Sequence, residues 1–164
     1  MKLSAPFLKE FRTEAPHTRK VLERMPMDKP AYKPHEKSTE LGGLAVHVAE
    51  LPGWITMVLN TDELDFAKSP YKPAPVADTA ALVQLFDDKV TEAAAALEAA
   101  SDETMEGDWT LRHGDHVILT LPRKDVLRTM VFNHSIHHRA QLGVYLRLND
   151  IPVPGIYGPS ADER

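Results

Sequence analysis

The sequence predicts an all-α protein, a four-helix bundle with a short β-hairpin before the last helix. Three observations carry that reading. Apolar residues recur at helical spacing in four segments of about 20 residues each. One stretch, Asp108 to Leu121, changes to strand-like patterning around a glycine-containing turn. Prolines cluster in the connections between the periodic segments. Helices with one apolar stripe bury it against each other, and a bundle is the natural packing of four of them. The chain of 164 residues suits a single domain spanning residues 1–164.

The first helix is expected from Leu3 to Met25, with Phe7, Leu8, Phe11, Ala15, Thr18, Leu22 and Met25 on one side. Pro16 falls inside it and is expected to kink or split it, because it removes a backbone bond and crowds the preceding turn. Residues Pro26 to Lys37 read as an extended connection. Ser38 or Thr39 is placed to cap a second helix from Leu41 to Asn60, which carries Leu44, Val48, Leu51, Ile55 and Val58 inward. Pro52 is expected to interrupt it. Thr61 to Val76 reads as a loop marked by Pro70, Pro73 and Pro75. Asp78 or Thr79 can cap a third helix that reaches Ala100, with Leu82, Phe86, Val90, Ala93 and Leu97 inside. In the hairpin, WTL and VILTL flank Arg112-His113-Gly114-Asp115. Pro122 sits where a helix can start. The last helix follows, with Val126 to Asn149 as its main body. The tail from Ile151 to Arg164 holds Pro152, Pro154 and Pro159 and reads as an ordered or semi-ordered surface extension.

Composition narrows the function. Nineteen basic against 24 acidic residues give a formal charge of -5 without an obvious basic patch, which argues against a nucleic-acid partner. No uninterrupted run of 18 apolar residues occurs, so no membrane span is expected. The charged start lacks an apolar signal core, and the cytoplasm is the expected location. Cysteine is absent, which excludes disulfides, cysteine nucleophiles and thiolate ligands from the chain itself.

The informative residues are histidines. His134 and His138 stand four apart on the last helix, one turn from each other, on the face that carries Leu127, Met130, Val131, Gln141, Tyr145 and Leu148. Two imidazoles in an apolar stripe are either metal ligands or core histidines hydrogen-bonded to backbone or carboxylate. His47 falls on the buried side of the second helix. Three inward histidines from two packed helices can converge on one point, as ligands do in bundle metal sites. Three imidazoles suit zinc, nickel, cobalt, copper or iron better than magnesium or calcium. Three protein ligands also leave a position open for water or substrate, the arrangement of a catalytic site. His137 competes with His138 but lies at the flank of the stripe. Gln141 faces with the pair and can orient a ligand or a water, or simply edge the stripe. Glu50, one turn past His47, is an acceptor behind a ligand, a further ligand or a solvated carboxylate. Tyr145 either reaches the pocket with its hydroxyl or packs in the core. His17, His35, His113 and His116 read as surface residues, and Trp54 and Trp109 as packing. The residues three before His47, His134 and His138 are Leu44, Val131 and Ser135, so none of the three belongs to a Glu-x-x-His pair, and His-Glu-x-x-His, Gly-x-Ser-x-Gly and Gly-rich phosphate loops are missing.

The histidine of LAVHVAEL, the segment NHSIHHRAQLGVYLR and the tail IPVPGIYGPSADE together resemble the DinB-like superfamily, which includes the DinB proteins and the YfiT-like metalloenzymes. The resemblance implies a bundle of unusual connectivity, a divalent metal held by His47, His134 and His138, and a homodimer. It also implies a metal-dependent enzyme, either a transferase that uses an external low-molecular-weight thiol or a hydrolase. Ala140 stands where many relatives have glycine. Zinc or nickel is the expected metal and a small molecule the expected substrate. A non-catalytic metal-binding or structural role is the alternative, since no general base is obvious beside the ligands.

Overall fold

The computed structural model describes residues 2–163; Met1 and Arg164, the ends of the expected domain and tail, lie outside them. The chain runs α1 (Ser4–Leu22), α2 (Leu41–Asn60), β1 (Glu63–Asp65), α3 (Thr79–Ala99), α4 (Asp102–Glu106), β2 (Asp108–His113), β3 (His116–Pro122) and α5 (Arg123–Val126). A π-helical stretch (Leu127–Asn133) and α6 (His134–Leu148) complete it. The fold is mostly helical with a small three-stranded sheet. The centre is α2, which packs on α3 and on the last helix, while α1 lies against both of those.

Both internal prolines are accommodated without splitting a helix: Pro16 lies within α1 and Pro52 within α2. The expected hydroxyl cap of α2 is not used. Glu40 is its N-cap and makes no side-chain capping bond. The amide of Leu41 instead donates to the Tyr32 carbonyl at 2.9 Å and that of Gly42 to the Pro30 carbonyl at 2.8 Å. The folded-back connection thus satisfies donors that a helix start leaves free. Asp78 does cap α3, accepting from the Ala81 amide at 2.8 Å.

The hairpin expectation is corrected to a three-stranded sheet. β2 and β3 pair antiparallel, and β1 adds in parallel on the other edge of β2. β1 and the short α4 were not legible: three and five residues are too brief for a period to show. Asp65 fixes the sheet, its Oδ1 accepting from the amides of Gly114 at 2.9 Å and Ala67 at 3.0 Å. Gly114 takes φ +58° in the turn, where glycine carries no Cβ penalty. Trp109 is fully buried and donates through Nε1 to Thr61 Oγ1 at 3.0 Å. Arg123 closes the end of α2, donating to the carbonyls of Val58 and Thr61 at 2.8 Å.

Two apolar clusters hold the body. One joins α1, α2, α3 and α6 through Leu22, Leu41, Leu44, Leu82, Phe86 and Leu142. The other joins α2, α3, the sheet and the π stretch through Ile55, Leu97, Trp109, Leu127 and Val131. By length and composition α2 could cross a membrane, yet most of it is buried here as the core helix. The tail is pinned by Arg147 to Asp162 and by Arg24 to Glu163.

The last helix departs from a continuous α-helix. Its π stretch hydrogen-bonds with a wider turn, and the inward face steps round behind it. Beyond it the core positions are Arg139, Leu142, Tyr145 and Leu146. Leu148, expected inside, is exposed. It lies six residues past Leu142, which at roughly 100° per residue carries it to the outer side.

Candidate metal centre

His47 comes from the middle of α2, and His134 and His138 from the first turns of α6. Packing of α2 against the last helix brings them together. One ring nitrogen from each lies within 4.8 Å of the others. The Nε2 atoms of His47 and His134 are 3.4 Å apart, and those of His134 and His138 are 2.6 Å apart. All three side chains are half-buried, at the edge of the core and not in its centre.

Hydrogen bonds set the tautomers. His134 Nδ1 lies 3.2 Å from the Met130 carbonyl, and His138 Nδ1 lies 2.6 Å from Gln141 Oε1. Both oxygens only accept, so both Nδ1 atoms donate and the Nε2 atoms face each other with lone pairs. Burial pushes His47 down to about 4, and the neighbouring His134 and His138 push it further in the same direction. His134 is lowered as well, by burial first and then by His138. Neutral imidazoles with converging lone pairs are the donor set a transition-metal cation takes. Around a tetrahedral ion with Zn–N of about 2.0–2.1 Å, ligand nitrogens sit roughly 3.4 Å apart. The separation between His47 and His134 fits that value, and the one between His134 and His138 needs to open by under 1 Å, roughly a small side-chain rotation.

His137 is exposed and points off the cluster, with its ring beside that of His138. Gln141 lies behind His138, as its facing direction suggested. Two other expectations are corrected. Glu50 touches none of the three histidines: it accepts from the Tyr71 hydroxyl at 2.6 Å and the Ala74 amide at 3.0 Å. Tyr145 does not reach the histidines with its hydroxyl, which donates to the Thr39 carbonyl at 2.7 Å. It is buried, with its ring edge-on to Tyr32. It shares the inward side of α6 with the histidines, but two turns past His138 that side meets the connection that precedes α2.

The sequence reading gave no role to Tyr71 or Arg139. Tyr71 stands edge-on to His47 with ring centroids 6.4 Å apart. Its only signal was its place among the prolines of the loop from Thr61 to Val76. Arg139 is buried next to His138, where it donates to Thr18 Oγ1 at 3.2 Å and pairs with Glu14 and Tyr157. It ties α6 to α1 and to the tail behind the site. A cleft of about 390 Å³ opens over His47 and His138. A separate cavity of about 30 Å³ behind α6 has room for a water or two, not for a substrate.

The sequence matches the model of the DinB family over residues 1–164. The chain belongs to the DinB family. Its DinB relatives include the uncharacterized protein YrdA of Bacillus subtilis (strain 168), 32% identical over 157 residues, or 96% of this chain and 89% of YrdA. The DinB fold is seen in the crystal structure of the DinB-like protein YjoA of Bacillus subtilis, with TM-score 0.70 at 19% identity over 92% of this chain and 97% of that one. A DinB-like protein of Bacillus cereus gives TM-score 0.66 at 20% identity, over 92% of this chain and 95% of that one.

Proposed function

We propose that this DinB protein is a metal-dependent enzyme in which His47, His134 and His138 hold a divalent transition metal, zinc or nickel, and that it transfers groups using an external low-molecular-weight thiol. The observation that carries the reading is the convergence of three histidine nitrogens within 4.8 Å beside an open cleft. A metal bound there supplies a Lewis acid that lowers the pKa of a coordinated thiol or water. The chain's own residues do the rest. His47 and His134 stay neutral through burial. Met130 and Gln141 orient two of the rings. With no cysteine in the chain, a thiol nucleophile has to come from solution.

Both apolar clusters are built without the histidines, which favours a functional metal over a structural one. Zinc- or nickel-loaded protein is assayed with low-molecular-weight thiols and electrophiles, beside a panel of esters and amides. Turnover that needs both metal and thiol supports the transferase. Turnover of esters or amides without thiol replaces it with a hydrolase. No turnover with either class, or unfolding of the protein by a chelator, counts against the enzyme reading.

A further inference from the structure

The cleft over the histidines has a lining that says what enters it. Leu44, Pro73, the ring of Tyr71 and the bare backbone of Gly43 form its walls around His47 and His138, with Thr39 beside them. Among the described residues, no lysine, arginine, aspartate or glutamate lines it. Its volume of about 390 Å³ falls in the range of small-molecule sites.

Tyr71 is the unusual part of that wall. It is a large aromatic residue left 54% exposed, on a segment held beside α2. Glu50 holds it there with both oxygens, one on the Tyr71 hydroxyl at 2.6 Å and one on the Ala74 amide at 3.0 Å. Pro70, Pro73 and Pro75 limit the backbone freedom of the same segment. The ring is therefore presented to the cleft at low entropic cost, as rigid aromatic anchors are at binding sites.

Resting on the metal-site reading above, we propose that the cleft selects a compact ligand with one metal-binding donor atom and an uncharged, largely apolar body. Tyr71 is its specificity-determining residue and Glu50 the positioning residue behind Tyr71. A body carrying further carboxylates would lose hydration in this cleft and find no cation to pair with. An apolar body gains by covering Leu44, Pro73 and the Tyr71 ring.

The test uses the full chain loaded with Co²⁺, whose visible absorption reports thiolate binding. Phenylmethanethiol, uncharged and apolar, is compared with 4-(mercaptomethyl)benzoate, which has the same body plus a carboxylate too far from the thiol to reach the same metal ion. Phenylmethanethiol is expected to bind about tenfold tighter or more. Tyr71→Ala is expected to remove most of that preference, and its far-ultraviolet circular dichroism, matching that of the wild type, reports that the variant is folded. Glu50→Ala is expected to lower the preference, and Glu50→Gln to restore part of it, its amide oxygen accepting from the Ala74 amide while its NH2 donates to the Tyr71 hydroxyl oxygen. Equal affinity for the two thiols, or a preference that survives Tyr71→Ala, overturns this inference and leaves the metal site standing. Failure of the wild-type protein to bind cobalt overturns the metal-site reading and this inference with it.

Discussion

His138 Nδ1 and Gln141 Oε1 stand 2.6 Å apart, which holds the imidazole with its Nε2 turned toward His134 and His47. Partners of this kind orient a ligand and raise its basicity, and their loss lowers metal affinity about 10–100-fold. Gln141→Leu is expected to weaken zinc binding within that range. Melting temperature in the absence of metal should change little, since Gln141 is exposed. Competition with a chromophoric chelator measures the first, and a thermal scan of apo protein the second.

The adjacent histidines of α6 give a sharper contrast. His134→Ala and His138→Ala are each expected to abolish tight binding of zinc or nickel. His137→Ala should lower affinity far less, because that side chain faces solvent beside the cluster. Equal losses at positions 137 and 138 in a metal titration would show that the ligand set is wrong.

Two neighbouring glycines in α2 are expected to respond in opposite directions. A Cβ at Gly42 would stand 2.7 Å from Pro30 Cβ, in the connection that also accepts the Gly42 amide bond. Gly42→Ala should destabilise by about 1–3 kcal/mol, the usual cost of overpacking. A Cβ at Gly43 meets only Thr39 Cγ2, at 3.9 Å. Gly43→Ala should therefore stabilise by up to about 1 kcal/mol through helix propensity. Urea unfolding of the two variants checks both signs.

Acid sensitivity is expected at the sheet. The amide of Gly114, helped by that of Ala67 and by Lys68, holds the Asp65 carboxyl below its ordinary value of 3.8. A carboxylate whose pKa is depressed in the native state contributes stability that is complete above its unfolded value and fades as pH falls through the folded one. The urea midpoint should therefore drop more steeply below about pH 4 in the wild-type protein than in Asp65→Asn. Parallel pH profiles for the two proteins would refute this.

Much of the chain was readable because its helices are long. Helical spacing located α1, α2 and α3 to within about three residues at each end. It also found the three histidines that the fold brings together. The failures share a cause: contacts distant in sequence decided them. β1 is a strand only because β2 offers it an edge. Glu50 looked like a neighbour of His47, yet the segment around Tyr71 and Ala74 claims both its oxygens. Tyr145, expected on the inward face, is buried there, whereas Leu148 is exposed: it lies about 120° round the helix from Leu142, and only the packing of α6 on its neighbours decides which of those sides is inner.

The wider turn of the π stretch works as a phase adjustment between two halves of one rod. Leu127 and Val131 engage the cluster around Trp109, while His134 and His138 are aimed across at His47. Removing one residue between positions 127 and 133 would swing everything downstream by roughly 100°. The hydrophobic packing could be rebuilt after such a turn, but the imidazoles would no longer meet, so the length of this segment is tied to the chemistry more tightly than its composition is.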